Sequence, residues 1–251
     1  MKVTIFQTNI HWAAPDENVK NVQALFNETV GSDLYVLPEM WATGFATTPH
    51  EIAENSDSIA LQWMKQTAVK HSCALSGSLL IHTEDGKYRN RHYFVTPHKV
   101  AFYDKHHLFT YGHEDQFITP GNDHVIVSWH ERRFLLLTCY DLRFPLWSRY
   151  GRVGEYDAII IAANWPESRQ QAWRVLTRAR AIENQCYLIG CNRVGSDMFC
   201  HYLGESLVCD SKGNTLAEAA PGRQQTVTVE LDFDKLDYVR QRFRVLNDRD
   251  R

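Results

Sequence analysis

The sequence of 251 residues has no apolar run of the ~18 residues that a membrane-crossing helix needs; its longest purely apolar stretches are residues 158–163 and 134–137. No membrane partner is therefore expected. Thr4, Gln7, Thr8 and Asn9 interrupt the N-terminal apolar residues before they reach the length of a signal core, which leads us to expect a cytoplasmic protein. The six cysteines, at 73, 139, 186, 191, 200 and 209, contain no C-x-x-C pair, so neither a zinc knuckle nor a thioredoxin-type motif is encoded. They read as free thiols of a reducing compartment. Positive charge is not in excess either: 27 Lys and Arg stand against 30 Asp and Glu, a net charge of −3, so no global field attracts a polyanion and nucleic acid is not an expected partner. Low-complexity linkers and short repeats are also missing. With 44% hydrophobic and 23% charged residues the chain is that of a folded protein, read here as one domain over 1–251 with a C-terminal tail from about 232.

What the sequence does contain is an alternation of strand and helix patterns. Residues 3–6 are a β-branched and aromatic run, and after Pro15 the positions Val19, Val22, Leu25, Phe26 and Val30 recur at helical spacing. A strand over 34–37 stops at Pro38, which cannot donate to a ladder. A helix over 58–70 and strands over 74–81, 92–96 and 100–103 complete a βαβαβββ order. The second half predicts strands over 125–129 and 134–138, a short helix after Pro145, and a strand over 158–162. A long helix follows, its inward face predicted at Ala172, Val175, Leu176 and Ala179, with Arg174, Arg178 and Arg180 outward. After a strand over 186–190, the runs 203–209 and 215–218 form a hairpin, and a strand over 226–231 leads to a short final helix. The pattern implies a mixed sheet packed by helices, with ligands at the carboxyl ends of strands. Glu39, Lys105, Cys139 and Asn164 occupy such ends.

Cys139 ends a buried-looking strand, Phe-Leu-Leu-Leu-Thr, and opens a polar elbow, Tyr-Asp-Leu-Arg-Phe-Pro. Alone, such a cysteine is a small buried hydrophobe. As a nucleophile it needs a base or a local positive field, and Glu39 and Lys105 supply a carboxylate and an ammonium. These three types suffice for acyl transfer. A fast-reacting cysteine of low pKa is accordingly expected to distinguish an enzyme from a non-catalytic scaffold of the same sequence.

The residues are similar to those of the nitrilase superfamily of carbon–nitrogen hydrolases. The likeness rests on Leu-Pro-Glu at 37–39, Tyr-Asp-Lys-x-His-Leu-Phe at 103–109, Pro-Gly at 120–121 and Cys-Tyr-Asp-Leu-Arg-Phe-Pro at 139–145. It continues through Ala-Asn-Trp-Pro at 163–166, Ala-Arg-Ala-Ile-Glu-Asn-Gln at 179–185 and Cys-Asn-Arg-Val-Gly at 191–195, and so spans roughly residues 3–231. The resemblance implies an α/β fold, the nitrilase-like α-β-β-α sandwich whose pairing forms a four-layer arrangement, and a homodimer joined through the helix after the cysteine elbow and the late helix. It implies Cys139 as nucleophile, Glu39 as general base, Lys105 as oxyanion-stabilising lysine, Glu114 as the second glutamate that orients the site, and the backbone N–H of Tyr140 as a further oxyanion donor. No cofactor and no metal is required by this chemistry.

In nitrile-hydrolysing relatives the nucleophile is followed by Trp-Glu; here Tyr140-Asp141 follows it, which resembles the amidase side. The run Ala-Asn-Trp-Pro-Glu-Ser-Arg with the later Asn-Arg-Val-Gly is most similar to the bacterial omega-amidases, implying a small-molecule amide substrate such as 2-oxoglutaramate or 2-oxosuccinamate. The alternative is an amidase for deaminated glutathione or an N-carbamoyl amine. One departure is the segment Ser-Asp-Met-Phe-Cys-His-Tyr after Gly195, where members of the family are richer in glycine. The substrate's far carboxylate asks for an arginine, since a planar guanidinium matches it. Arg143 is the candidate, against the plainer reading of a salt bridge bracing the elbow. Trp41, Phe45, Phe109 and Trp165 are expected to wall the pocket. A competing metal site would use His106, His107 and His113 with Glu114 and Asp115, although adjacent strand residues face opposite sides.

Overall fold

The structure is a computed structural model that describes residues 1–46, 48–55 and 57–249. Strand β1 (Lys2–Gln7) leads to helix α1 (Pro15–Glu28), which opens with proline and places Asp16 and Glu17 in its first turn, where the helix dipole favours negative charge. Strand β2 (Leu34–Val36) follows. Helix α2 (Ile59–His71) starts where the Ser58 side chain accepts the Leu61 N–H at 3.0 Å, and ends at Ser72 in the left-handed conformation. Strands β3 (Ala74–His82), β4 (Tyr88–Val95) and β5 (Val100–Asp104) then run as a meander.

The second half repeats the plan with β6 (Ile126–Trp129), β7 (Arg132–Thr138), the short α3 (Pro145–Ser148), β8 (Ala158–Ala163), α4 (Gln170–Glu183) and β9 (Tyr187–Asn192). A small hairpin of β10 (Val194–Ser196) and β11 (His201–Leu203) precedes β12 (Leu207–Cys209), β13 (Thr215–Glu218), β14 (Gln225–Glu230) and α5 (Phe233–Arg242). Two six-stranded sheets result, ordered β14-β1-β2-β3-β4-β5 and β13-β12-β9-β8-β7-β6, each parallel at its centre and antiparallel at its edges. The crossover helices α1 and α2 link the parallel strands of the first sheet.

Alternation along the strands sorts side chains between layers. Phe134, Leu136, Ala158 and Ile160 join Val3, Ile5 and Val36 in the core between the sheets. Leu135, Leu137, Ile159 and Ile161 face the other way, onto Trp173 and Ala181 of α4. On the far side of the first sheet, Phe26, Trp41, Trp63 and Met64 pack with Tyr35 and Leu75. The order helix, sheet, sheet, helix is the expected α-β-β-α sandwich, and the near-continuous apolar runs of β7 and β8 exist because both of their faces are covered.

Two sequence expectations are corrected. The inward face of α4 is centred on Trp173, Thr177, Arg180 and Ala181; Ala172 and Leu176 pack against the same core, as expected, whereas Val175 is 53% exposed. Arg180 turns inward because its Nε donates to the Leu142 carbonyl at 3.1 Å and its Nη1 to Glu183 at 2.8 Å. The run 203–209 is not one strand: Gly204 (φ +76°) and Glu205 (φ +55°) adopt left-handed backbone, so His201–Leu203 pairs with Val194–Ser196 and only Leu207–Cys209 joins the sheet. The segment from 232 forms α5, with Phe233 and Leu236 buried and Arg240 bonded to Asp157 and to the Tyr156 carbonyl.

Candidate active site

The carboxyl ends of β2, β5, β7 and β8 meet at the seam between the two sheets, and with them Glu39, Lys105, Cys139 and Asn164. Proline ends β2, and Met40 (φ +43°) then turns the chain back, so Glu39 points into the seam while Trp41 goes beneath α2. The expected pocket-wall role of Trp41 is thereby corrected: it is 1% exposed and packs edge-on to Trp63 with ring centroids 5.6 Å apart.

Lys105 and both glutamates have no solvent exposure at their side chains. The Lys105 ammonium donates to Glu39 Oε1 at 2.9 Å and to Glu114 Oε1 and Oε2 at 3.1 and 2.8 Å. Its three protons are all used. Burial opposes the charge, but Glu114 and then Glu39 outweigh it, so the Lys105 pKa is raised and the ammonium stays protonated. Glu114 also accepts the Phe109 N–H at 2.7 Å; burial nevertheless raises its pKa against the pull of Lys105. Glu39 Oε2 accepts the Asn164 N–H at 2.8 Å, and Asn164 Nδ2 returns to the Glu39 carbonyl at 2.8 Å.

Asn90 is a site residue that the sequence reading did not find. From the interior of β4 its Nδ2 donates to Glu39 Oε1 at 2.8 Å and to Glu114 Oε1 at 3.1 Å, while its Oδ1 accepts the Ser78 hydroxyl at 2.8 Å. It is thus the neutral link between the two carboxylates. The available signal was weak: a polar residue inside a strand, with no motif around it.

Cys139 sits at φ +43°, the sharp turn that lifts a side chain off a strand end. Asp141 holds this elbow, accepting the Thr138 N–H at 2.9 Å, the Tyr103 hydroxyl at 2.7 Å and the His107 N–H at 3.0 Å. Tyr140 is second in the one-turn helix Cys139–Arg143, a position whose N–H has no intrahelical acceptor. The expectation of a low-pKa thiol is corrected. Burial first and Glu39 second push the Cys139 pKa well above the ordinary thiol range, against the pull of Lys105, so the resting group is a neutral thiol beside a base.

A cavity of about 360 Å³ opens over Cys139, lined by Lys105, Phe109, Tyr140, Arg143 and Trp165, with Phe45 also in its wall. The Arg143 guanidinium lies 4.9 Å from the Trp165 ring centroid and has no ion pair among the described residues, so it does not brace the elbow. Arg169, Tyr111 and the β10–β11 turn, with Asp197, Phe199 and Cys200, add to the wall; the turn is the glycine-poor segment that the sequence marks as a departure, whereas Arg169 and Tyr111 were not singled out as site residues. Three residues of the metal alternative are held by other partners. His106 Nδ1 bonds the Gly121 carbonyl and its ring stacks on Trp147, His107 bonds Asp141 and stacks on Phe144, and Glu114 is held by Lys105.

Comparison with known proteins gives a consistent set of likenesses. The family model described as carbon–nitrogen hydrolase matches residues 2–241. The chain is 38% identical to the omega-amidase YafV of Escherichia coli (strain K12), over all of this chain and 97% of that protein. It is 33% identical to the 2-oxoglutaramate amidase of Bacillus subtilis (strain 168), over 99% of this chain and 98% of that one. Among solved structures it is similar to XC1258 from Xanthomonas campestris, described as a superfamily protein with an arsenic adduct in the active site. The TM-score is 0.96 at 34% identity, covering 100% of this chain and 97% of that one.

Proposed function

The chain belongs to the carbon–nitrogen hydrolase family, and from that premise we propose that it is an omega-amidase. It hydrolyses the terminal amide of 2-oxoglutaramate and 2-oxosuccinamate to the dicarboxylate and ammonia through a thioester on Cys139. The observation that carries this reading is the buried contact of Lys105 with Glu39 and Glu114 beside Cys139, under a cavity that also holds an unpaired arginine.

In this mechanism Glu39 takes the thiol proton as sulfur attacks the amide carbon, which removes the need for a preformed thiolate. The negative charge then developing on the amide oxygen is met by Lys105 and by the Tyr140 N–H, donors fixed in place before the reaction. The longest Lys105 contact, 3.1 Å to Glu114 Oε1, is the one that yields to the oxyanion. The C–N bond breaks as Glu39 passes its proton to the departing nitrogen, leaving ammonia and the acyl-enzyme. Glu39, again a carboxylate, accepts a proton from water as the water attacks the thioester, and collapse returns that proton to sulfur. Glu114 acts by holding Lys105, with Asn90 keeping the two carboxylates apart. Arg143 pairs with the far carboxylate of the substrate, while Phe109 and Trp165 enclose its methylenes.

We also propose a cytoplasmic homodimer. Free cysteines at all six positions favour a reducing compartment, and Leu146, Val175, Ile182 and Phe243 form exposed apolar surface on α3, α4 and the segment after α5. The experiment that tests the function is ammonia release over a panel of oxo-acid amides, carbamoyl amino acids and nitriles. A kcat/KM higher for 2-oxoglutaramate than for every other member is expected; a nitrile or carbamoyl compound ranking above it overturns the proposal.

A further inference from the structure

The cavity carries more positive charge than one substrate carboxylate uses. Arg169, which opens α4, lines it together with Arg143, and neither guanidinium has a carboxylate partner among the described residues. Arg169 donates only to the neighbouring Ser168 hydroxyl, at 3.3 Å. The other charges in the wall are spoken for. Lys105 is bound by two glutamates, and the Asp197 carboxylate accepts the Tyr202 hydroxyl and the N–H groups of Phe199 and Cys200.

The two arginines lie over different rings of the wall. Arg143 is one helical turn from Cys139 and lies against Trp165, which is 2% exposed. Arg169 lies 4.9 Å from the Phe109 centroid and 5.3 Å from that of Tyr111, a side chain 81% exposed at the mouth. Stacking on two rings fixes the guanidinium plane without consuming its N–H donors. A cavity of about 360 Å³ also has room beyond a five-carbon acid amide, since pockets upward of roughly 300 Å³ enclose drug-sized ligands.

We propose that Arg169 is an outer anion subsite that reads the carboxylate of omega-amide acids longer than the five-carbon substrate, with Arg143 reading that of shorter ones. The inference rests on the acid-amide reading of the site and adds to it a second register for chain length. The pocket then accepts a range of linear monoamides of dicarboxylic acids, each with its amide at Cys139 and its anion at one of two fixed guanidinium groups.

The test is a series of succinamate, glutaramate, adipamate and pimelamate with wild type, Arg143→Met, Arg169→Met and Arg169→Lys, each checked for an unchanged melting temperature. Arg169→Met is expected to lower kcat/KM for the two longer amides at least tenfold more than for succinamate, through KM, with partial recovery in Arg169→Lys. Arg143→Met is expected to show the opposite order. Equal factors at every length overturn the inference while leaving the amidase standing. If wild type hydrolyses none of the acid amides, the acid-amide reading fails. Calorimetric binding of adipate against succinate to Cys139→Ala still decides the subsite: a tenfold loss for adipate alone on adding Arg169→Met supports it, and no loss overturns it.

Discussion

A buried thiol next to a buried carboxylate behaves differently from an activated thiolate, and this separates two effects of one residue. Glu39 raises the Cys139 pKa in the resting site and, in the proposed mechanism, removes the same proton during attack. Glu39→Gln is therefore expected to abolish measurable turnover while moving the midpoint of the alkylation–pH profile of Cys139 to lower pH, because one of the two causes that raise it is removed while burial and the pull of Lys105 remain. A midpoint that stays or rises contradicts the electrostatic account. Lys105→Met is expected to lower kcat by about 10²- to 10³-fold, the usual cost of an oxyanion donor, measured against a smaller change in KM. The residues of this chemistry were legible where they end strands: a proline stop exposes Glu39, and a polar elbow exposes Cys139. Asn90 was not legible, since its meaning comes from a tertiary approach of β4 to two carboxylates that lie 51 and 24 positions away in the chain.

At the scale of elements, the elbow and the inter-sheet contact of β4 with β7 depend on buried polar groups. Asp141 satisfies four donors at once, so Asp141→Ala leaves the Thr138 N–H and the Tyr103 hydroxyl without their partner. A loss of about 2–5 kcal/mol in denaturant unfolding is expected, together with lower kcat. His92 ties the sheets by donating through Nδ1 to the Leu137 carbonyl at 2.9 Å and accepting the Ser76 hydroxyl at Nε2, 2.8 Å away. This arrangement requires the neutral ring, and burial lowers its pKa from 6.5 to about 4. The folded state thus binds its proton less readily than the unfolded chain. The associated stability is complete above about pH 6.5 and is lost as pH falls toward 4; at ~1.4 kcal/mol per pH unit the interval amounts to roughly 3 kcal/mol. His92→Gln should flatten the fall in unfolding free energy between pH 7 and 4. Elements of this kind were predicted well in kind and order, because apolar period and proline stops are local. The face of α4 was misread because an arginine that bonds a carbonyl beneath the helix looks, in sequence, like a solvent residue.

For the whole molecule the decisive feature is that the site belongs to neither sheet. Glu39 and Lys105 come from the first, Cys139 and Asn164 from the second, and the core between the sheets holds them in register. This division was implicit in the repeated strand–helix order, but the packing of one sheet on the other is a long-range event that no local pattern encodes. It has a thermodynamic consequence. Ile160 lies in the inter-sheet core on β8, fully buried and facing strands of the first sheet, and Ile160→Ala removes its packing and leaves a void; a cost of about 2–5 kcal/mol is expected. Ile159, the residue before it on the same strand, faces α4 instead and pairs with Leu135, four residues before Cys139, so Ile159→Ala has a similar transfer cost without loosening the seam. Both variants should melt at lower temperature than wild type, but at matched stability only Ile160→Ala should lose kcat, because only its cavity lets Glu39 drift from Cys139. Thermal melts followed in parallel by circular dichroism and by residual activity below the transition decide the matter. Equal kcat in the two variants would show that the seam tolerates loosening and that the catalytic groups are positioned by the hydrogen bonds around Glu39 alone.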